Sequence, residues 1–332
     1  MNIKEYVRKI CINAKESKKQ IACLNEKTKN QILEDIIEEL DNNRENIISA
    51  NSTDVENLKS SKNFVSSFVD RLLIDDNRID SMIESIKEII LIKDPVGEIK
   101  NLCEMPSGIK VGKMAMPLGV IAMIYESRPN VTVDASALSI KSGNAIILRG
   151  GSESISTNLI LATCIENAFL KNKIDKNAVQ LIENIDRNIV NELLIQNDYI
   201  DIVIPRGGKN LIKLVGELAT IPVLRHLDGI CHVFVDKDAD INKALEISVN
   251  SKTQRTGVCN AMETLLVDKN IAEKFLPEIE KRMLIDDVEI RGCESTQNIL
   301  NSVKIASEED WHTEYLDLIL SVRVVDGISG AI

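Results

Sequence analysis

Aromatic residues make up only 3% of this chain, with one tryptophan, four tyrosines and five phenylalanines, so its core must be built from Ile, Leu, Val, Ala and Met. Histidine is scarcer still. The three histidines, at 226, 232 and 312, are too few for a His-rich metal centre. The seven cysteines, at 11, 23, 103, 164, 231, 259 and 293, have no CxxC spacing and are odd in number, so they read as reduced thiols. Positive charge is short as well: 40 Lys and Arg stand against 51 Asp and Glu, a formal net charge of -11. No basic cluster offers the counterion release that nucleic acid or an anionic membrane surface requires, which excludes both as expected partners. No apolar run approaches the roughly 20 residues that cross a bilayer. The amino-terminal MNIKEYVRKICINAKESKK is polar and amphipathic, without the continuous apolar core of a signal peptide. A cytoplasmic location is expected. Neither GxGxxG nor GxxxxGK[ST] occurs, and there is no internal repeat or low-complexity stretch, so generic dinucleotide-fold and nucleotide-hydrolase labels find no support.

What is present is an ordinary globular balance, 44% hydrophobic and 27% charged, in 332 residues, enough for about two domains at roughly 150 residues each. Residues 1 to about 92 read as helical. Ile32, Ile36, Ile37 and Leu40 recur at helical spacing, as do Met82, Ile83, Ile86, Ile89 and Ile90. Both stripes are expected to cover a sheet. Pro106, Gly108, Gly112 and Pro117 then break the pattern, and 101–118 reads as an extended arm or hairpin. From Gly119 onward, strands and helices alternate: GVIAMIYE, AIILRG, AVQLIE, YIDIVIP, CHVFVD and ETLLV are strand-length runs too apolar to have a wet face. That alternation predicts parallel sheet covered on both sides.

Two glycine-bearing turns follow predicted strands, LRGGSE (148–153) and IPRGGKN (204–210). Ligands of parallel sheets gather beyond the carboxyl ends of the strands, and paired glycines let backbone amides approach a phosphate at a helix start. Arg149, Ser152, Arg206 and Lys209 add donors. Each turn reads equally well as an anion cradle or as an ordinary βα turn where glycine is conformationally convenient.

A third segment, KTQRTGVCNAMETLLV (252–267), sets Cys259 between Gly257 and an apolar strand. A catalytic thiol needs access and nearby cations or oriented amides. Lys252 and Arg255 lie upstream, Gly257 leaves room for a substrate, and Asn260 is placed to donate to an oxyanion. A buried structural cysteine, the commoner fate of this residue, fits Cys23, Cys164 and Cys231 among their apolar neighbours better than it fits Cys259.

With these motifs in view, PLGVIAMIYESRPNVTVDASALSIKSGNAIILRGGSE (117–153), DIVIPRGGKNLI (201–212), IPVLRHLDGICHVFVDKDAD (221–240), QRTGVCNAMETLLV (254–267) and TEYLDLILSVRVVD (313–326) resemble the gamma-glutamyl phosphate reductase family of the aldehyde dehydrogenase superfamily. The resemblance runs from end to end and keeps the family's order. It implies an α/β, aldehyde-dehydrogenase-like fold. A parallel-sheet nicotinamide domain would span 1–236, interrupted by an oligomerisation β arm at about 101–117, and an α/β catalytic domain would span 237–332. It also implies NADPH-dependent reduction of gamma-glutamyl phosphate to glutamate 5-semialdehyde, with release of phosphate through a cysteine thioester, in proline biosynthesis. Cys259 would be the nucleophile and Asn260 would hold the oxyanion. Arg149, Ser152 and Glu153 would meet the adenosine ribose and 2′-phosphate of NADP(H), and Gly207 and Gly208 its pyrophosphate. His226 falls where hydrolytic relatives keep a water-activating glutamate, and Arg128 and Arg255 are the expected cations for the substrate's carboxylate and phosphate. Members of the family continue well past the point where this chain stops. The resemblance therefore implies a missing C-terminal part, an incomplete catalytic domain and an arm lacking its second strand, with a homo-oligomer expected for the full-length form. The alternatives are a hydrolytic aldehyde dehydrogenase and an inactive truncated product of the reductase.

Overall fold

Asparagine and aspartate start the long helices. In a computed structural model of the chain, which describes residues 2–60, 69, 71–225, 229–300 and 303–332, the helices Glu26–Asn42 and Asp76–Leu91 open on Asn25 and Asp75. Thr28 and Arg78 each donate a backbone amide to those caps at 2.9 Å, satisfying donors that a helix start otherwise leaves unpaired. Helices Ile3–Ala22 and Arg44–Lys59 complete the amino-terminal layer. The predicted stripes are its inner face: Ile32, Ile36, Leu40, Met82, Ile83, Ile86 and Ile89 are buried, while Ile37 and Ile90 sit at its half-buried margins. They share one core with Val120, Ala122 and Ile147 of the sheet beneath. Each such side chain is worth about 1.5–3 kcal/mol of transfer free energy. Among the described residues, no helix is long and apolar enough to cross a membrane.

Residues 99–114 make a two-stranded ribbon. Strand β1 (Ile99–Glu104) pairs antiparallel with β2 (Lys110–Met114), Ile99 opposite Met114 and Glu104 opposite Lys110. Gly108, at φ +83, supplies the left-handed residue of the turn, which Met105 closes by donating its amide to the Ile109 carbonyl at 2.8 Å. The arm is therefore a hairpin, because the PSG turn lets the chain reverse within a few residues. Every residue of both strands is exposed.

The sheet of this first unit, Met1–Arg225, is parallel. Its strands β3 (Val120–Tyr125), β4 (Ala145–Arg149), β5 (Val179–Leu181) and β6 (Ile202–Arg206) stand in the order β5-β4-β3-β6. Central β3 and β4 are almost wholly buried, while β5 and β6 at the edges are partly exposed. The chain steps outward from β3 through β4 to β5, then returns to the other flank of β3. That reversal makes the carboxyl ends of β3 and β6 the switch point at which open α/β sheets take ligands.

The second unit, His226–Ile332, has its own core. Strands β7 (Cys231–Val235), β8 (Met262–Asp268), β9 (Glu289–Gly292), β10 (Lys304–Ile305) and β11 (Ile319–Val325) form an all-parallel sheet, β10-β9-β11-β8-β7. Helices Ile241–Thr253 and Ala272–Ile285 pack Leu245, Phe275, Leu276, Ile279 and Met283 into it. The expected boundary after residue 236 differs from this division by one strand: CHVFVD, placed at the end of the first unit, pairs along β8 instead.

Candidate active site

At the switch point of the first sheet, three turns are tied together by carboxylates. Glu126 follows β3, and its Oε2 accepts the amide of Gly208 at 2.8 Å, at the start of helix Lys209–Leu218. A Cβ on Gly207 would collide with the same carboxylate, so glycine there permits the close approach. Glu153, after β4, accepts from both the amide and the hydroxyl of Ser127, at 2.8 and 2.6 Å. Ser127 is held at φ +39. The amide expected to cradle a phosphate is thus already paired with a carboxylate, as the positive end of a helix favours.

Arg149 does not project into solvent as a freely presented cation. It is 8% exposed. One Nη donates to the Gly150 carbonyl and the other to the Ile185 carbonyl, the latter at 3.2 Å. Burial lowers its guanidinium from the usual value, with the Glu153 charge opposing and Arg187 adding repulsion. Its Nε is buried with no hydrogen-bond partner among the described residues. Ser152, three residues on, is exposed. A buried donor left unpaired beside an open hydroxyl, at the carboxyl edge of a parallel sheet, is a donor set suited to an anionic group of a nucleotide.

In the second unit, Cys259 is exposed on a loop of turns, 254–261, between helix Ile241–Thr253 and β8. Lys252 and Glu263 join the two ends of this loop. Their side chains are 0% and 1% exposed and 2.8 Å apart. The other Glu263 oxygen accepts the amide of Leu316 at 3.1 Å. Lys252 is therefore committed to a buried ion pair and is not the cation expected beside the thiol. Cys231, at the start of β7, donates its thiol to the Cys259 carbonyl at 3.4 Å. Gly229 passes so close to that carbonyl that a Cβ would strike it. A Cβ on Gly257 would meet nothing within 4 Å among the described residues, so the room expected there exists.

The remaining expected residues separate by unit. Asn260 and Arg255 are exposed on the Cys259 loop, and Arg128 is half-buried in the turn after β3, next to Ser127. His226 lies outside the described residues. Cys164 is buried as expected, but Cys23 is exposed and Cys231 only half-buried. Cys23 caps the end of the first helix and faces out, while Ile21 before it is buried and Leu24 after it packs on the core. Sequence pattern does not single out Glu126 or Glu263, and it offers Cys231 only as a structural thiol. The one signal for Glu126 was an acid at the end of an otherwise apolar strand, IYE; for the other two the partner is distant in the chain.

The sequence profile of the aldehyde dehydrogenase family matches residues 2–288. The gamma-glutamyl phosphate reductase of Caldanaerobacter subterraneus subsp. tengcongensis is 50% identical over 319 residues, covering 96% of this chain and 77% of that protein. The gamma-glutamyl phosphate reductase of Ruthia magnifica subsp. Calyptogena magnifica is 46% identical over 331 residues, covering 100% and 79%. Among solved structures, the gamma-glutamyl phosphate reductase of Thermotoga maritima superposes with a TM-score of 0.91 at 42% identity, covering 98% of this chain and 78% of that one.

Proposed function

The chain belongs to the aldehyde dehydrogenase family, and we infer that it reduces gamma-glutamyl phosphate to glutamate 5-semialdehyde, a step of proline biosynthesis, with a nicotinamide cofactor as reductant. The observation that carries the chemistry is Cys259: an exposed thiol on a glycine-bearing loop whose two ends are joined by a buried ion pair. The Cys259 thiolate attacks the acyl carbon, the carbon–sulfur bond forms, and phosphate leaves with the electron pair of the acyl–oxygen bond. Asn260 and the loop amides stabilise the oxyanion of that step. A reduced nicotinamide held at the carboxyl ends of the first sheet, by Arg149, Ser152, Gly207 and Gly208, would supply the hydride that reduces the resulting thioester. Collapse of the thiohemiacetal then frees the aldehyde and restores the Cys259 thiolate. Splitting one difficult acyl reduction into acyl transfer and hydride transfer is what the covalent bond accomplishes.

NADP(H) is the proposed form of the cofactor. Ser152 and the buried Arg149 guanidinium would meet the 2′-phosphate, Glu153 would order the turn through Ser127, and Gly207 and Gly208 would face the pyrophosphate. An anion at Gly208 must displace Glu126 from that amide or share it. Arg128 and Arg255 are proposed for the substrate's carboxylate and phosphate, and the cytoplasm is the proposed location. We propose a homo-oligomer as well. The ribbon of β1 and β2 exposes Leu102, Ile109 and Met114, and a lone two-stranded ribbon is marginal in water. Light scattering on the chromatographed chain should give at least twice the chain mass, and a monomer would refute it.

Cys259→Ala is expected to abolish phosphate-dependent reduction of NADP by the semialdehyde, the reverse reaction, whereas Cys23→Ala is not. Turnover by Cys259→Ala at a substantial fraction of the parent rate would overturn the mechanism.

A further inference from the structure

Parallel strands sort the cysteines of the second unit onto two edges of one sheet. Cys231 opens β7 and Cys259 precedes β8, so both lie at the amino edge, whereas Cys293 follows β9 at the carboxyl edge. The length of β8, seven residues, sets these edges about 20 Å apart at roughly 3.3 Å per residue. Within the amino edge the separation is far smaller. The Cys231 sulfur is 3.4 Å from the backbone oxygen of Cys259, and β7 registers Cys231 against Met262, three positions after Cys259. Gly229, lacking a Cβ, lets the incoming segment lie against the same carbonyl.

From this contact we propose that Cys231 is a resolving thiol for Cys259, and that a hydroperoxide converts the pair to a reversible disulfide. The Cys259 thiolate attacks the peroxide oxygen, forming an S–O bond as the O–O bond breaks; the other oxygen leaves as hydroxide or alkoxide and takes up a proton. The sulfenic acid on Cys259 is then attacked by the Cys231 thiolate. The S–S bond forms, the S–O bond breaks, and the departing hydroxide leaves as water with the proton released by Cys231. Two thiols are oxidised by two electrons, and one hydroperoxide is reduced. The disulfide forms when adjustment of the Cys231 side chain and of loop 254–261 brings the two β-carbons to the usual spacing of about 3.5–4.5 Å. Neither helix nor strand occupies 254–261, so the adjustment breaks no regular structure.

The other cysteines are poor competitors. Cys11 and Cys164 belong to the other unit, and burial pushes each thiol up to about 12, leaving little thiolate. Cys23 and Cys103 are exposed, but Cys231 is the thiol held by a hydrogen bond against the Cys259 backbone. Without a resolving partner, an exposed sulfenic acid proceeds to the sulfinic acid, which thiols do not reverse. Cys231 diverts it to a form that thiols restore. Loss of turnover on oxidation rests on the reading of Cys259 as nucleophile; formation of the disulfide does not.

The test treats the reduced chain with hydrogen peroxide, blocks free thiols with iodoacetamide, and analyses non-reduced peptides by mass spectrometry. The expected product has lost two hydrogen atoms, links the peptides of Cys231 and Cys259, and returns to the starting mass and activity with dithiothreitol. In Cys231→Ser, and in Cys231→Ala should the serine variant fold poorly, the link is absent and Cys259 gains two oxygen atoms that dithiothreitol does not remove. Equal rates of sulfinic acid formation at Cys259 in parent and variants, or linkage of Cys259 to any cysteine other than Cys231, would overturn the proposal. Reversible cross-linking without loss of turnover would leave the disulfide standing and remove Cys259 from the mechanism.

Discussion

At the scale of single residues, residue type and spacing pointed to Cys259 but not to its neighbours. Glycine and polar residues around a cysteine are visible in a string of letters, and the thiol is indeed exposed. Lys252 shows the limit. A lysine seven positions before the thiol resembles an activating cation until its partner, Glu263, is seen to bury it. Arg149 shows a second limit, because a side chain after a strand can turn back onto carbonyls, here those of Gly150 and Ile185. The exposed member of that turn is Ser152, and the coenzyme prediction moves to it. A carboxylate in its place would stand against a 2′-phosphate, and like charges so placed cost several kcal/mol. Ser152→Glu should therefore lower the ratio of NADP to NAD catalytic efficiency by at least about tenfold, since 1.4 kcal/mol is a factor of ten. Steady-state kinetics with both coenzymes decides it. An unchanged ratio would show that Ser152 does not meet the phosphate.

At the scale of elements, burial patterns were read more securely than partners. The stripes Ile32–Leu40 and Met82–Ile90 became inner helix faces because a 3.6-residue period leaves one solution, and the runs AIILR and METLLV became fully buried strands for want of any polar face. The stretch 101–118 reads as an extended arm or hairpin, and it is a hairpin over 99–114, although the register of its two strands depends on a turn whose geometry pattern alone does not specify. The loop carrying Cys259 gains its frame from an ion pair spanning 252 and 263, and this invites a test. Removing one partner leaves a charge buried and unpaired, which costs about 3–5 kcal/mol, while replacing both can be close to neutral. Lys252→Met should destabilise the chain by that amount. Lys252→Met with Glu263→Gln should recover most of it, because the glutamine carbonyl still accepts the Leu316 amide now taken by Glu263 at 3.1 Å. Equal melting of the single variant and the parent would show the pair contributes nothing.

At the scale of the whole molecule, the α/β class followed from alternation, and the family from long motifs in order. What alternation does not contain is strand order: β11, which follows β9 and β10 in the chain, inserts between β8 and β9 in the middle of the second sheet. That late insertion makes the approach to β11 a point where the second unit can be tested. Asp310 lies there, its Oδ1 accepting from Arg291 and the Tyr315 hydroxyl at 2.7 and 2.6 Å, and its Oδ2 from the amide and hydroxyl of Ser307 at 2.7 and 2.8 Å. Burial alone would raise its carboxyl, but these four donors outweigh it and hold the group well below the usual carboxylate range. A folded-state pKa below the unfolded one gives stability that is fully present above the unfolded value, near pH 4, and is lost as pH falls toward the folded value. The sole tryptophan, Trp311, is the next residue and stacks under Arg323 at 5.3 Å, so its fluorescence reports on this unit alone. Acidification below about pH 4 should shift Trp311 emission as the unit loosens. Asp310→Asn replaces one acceptor with an NH₂ that faces the Ser307 donors. It should cost on the order of 1–3 kcal/mol at neutral pH and leave a flatter dependence on acid, because the titrating group is gone. Denaturant unfolding followed by Trp311 fluorescence at neutral and acid pH measures both effects, and a variant matching the parent in neutral stability and in acid midpoint would show that Asp310 does not link the second unit to pH.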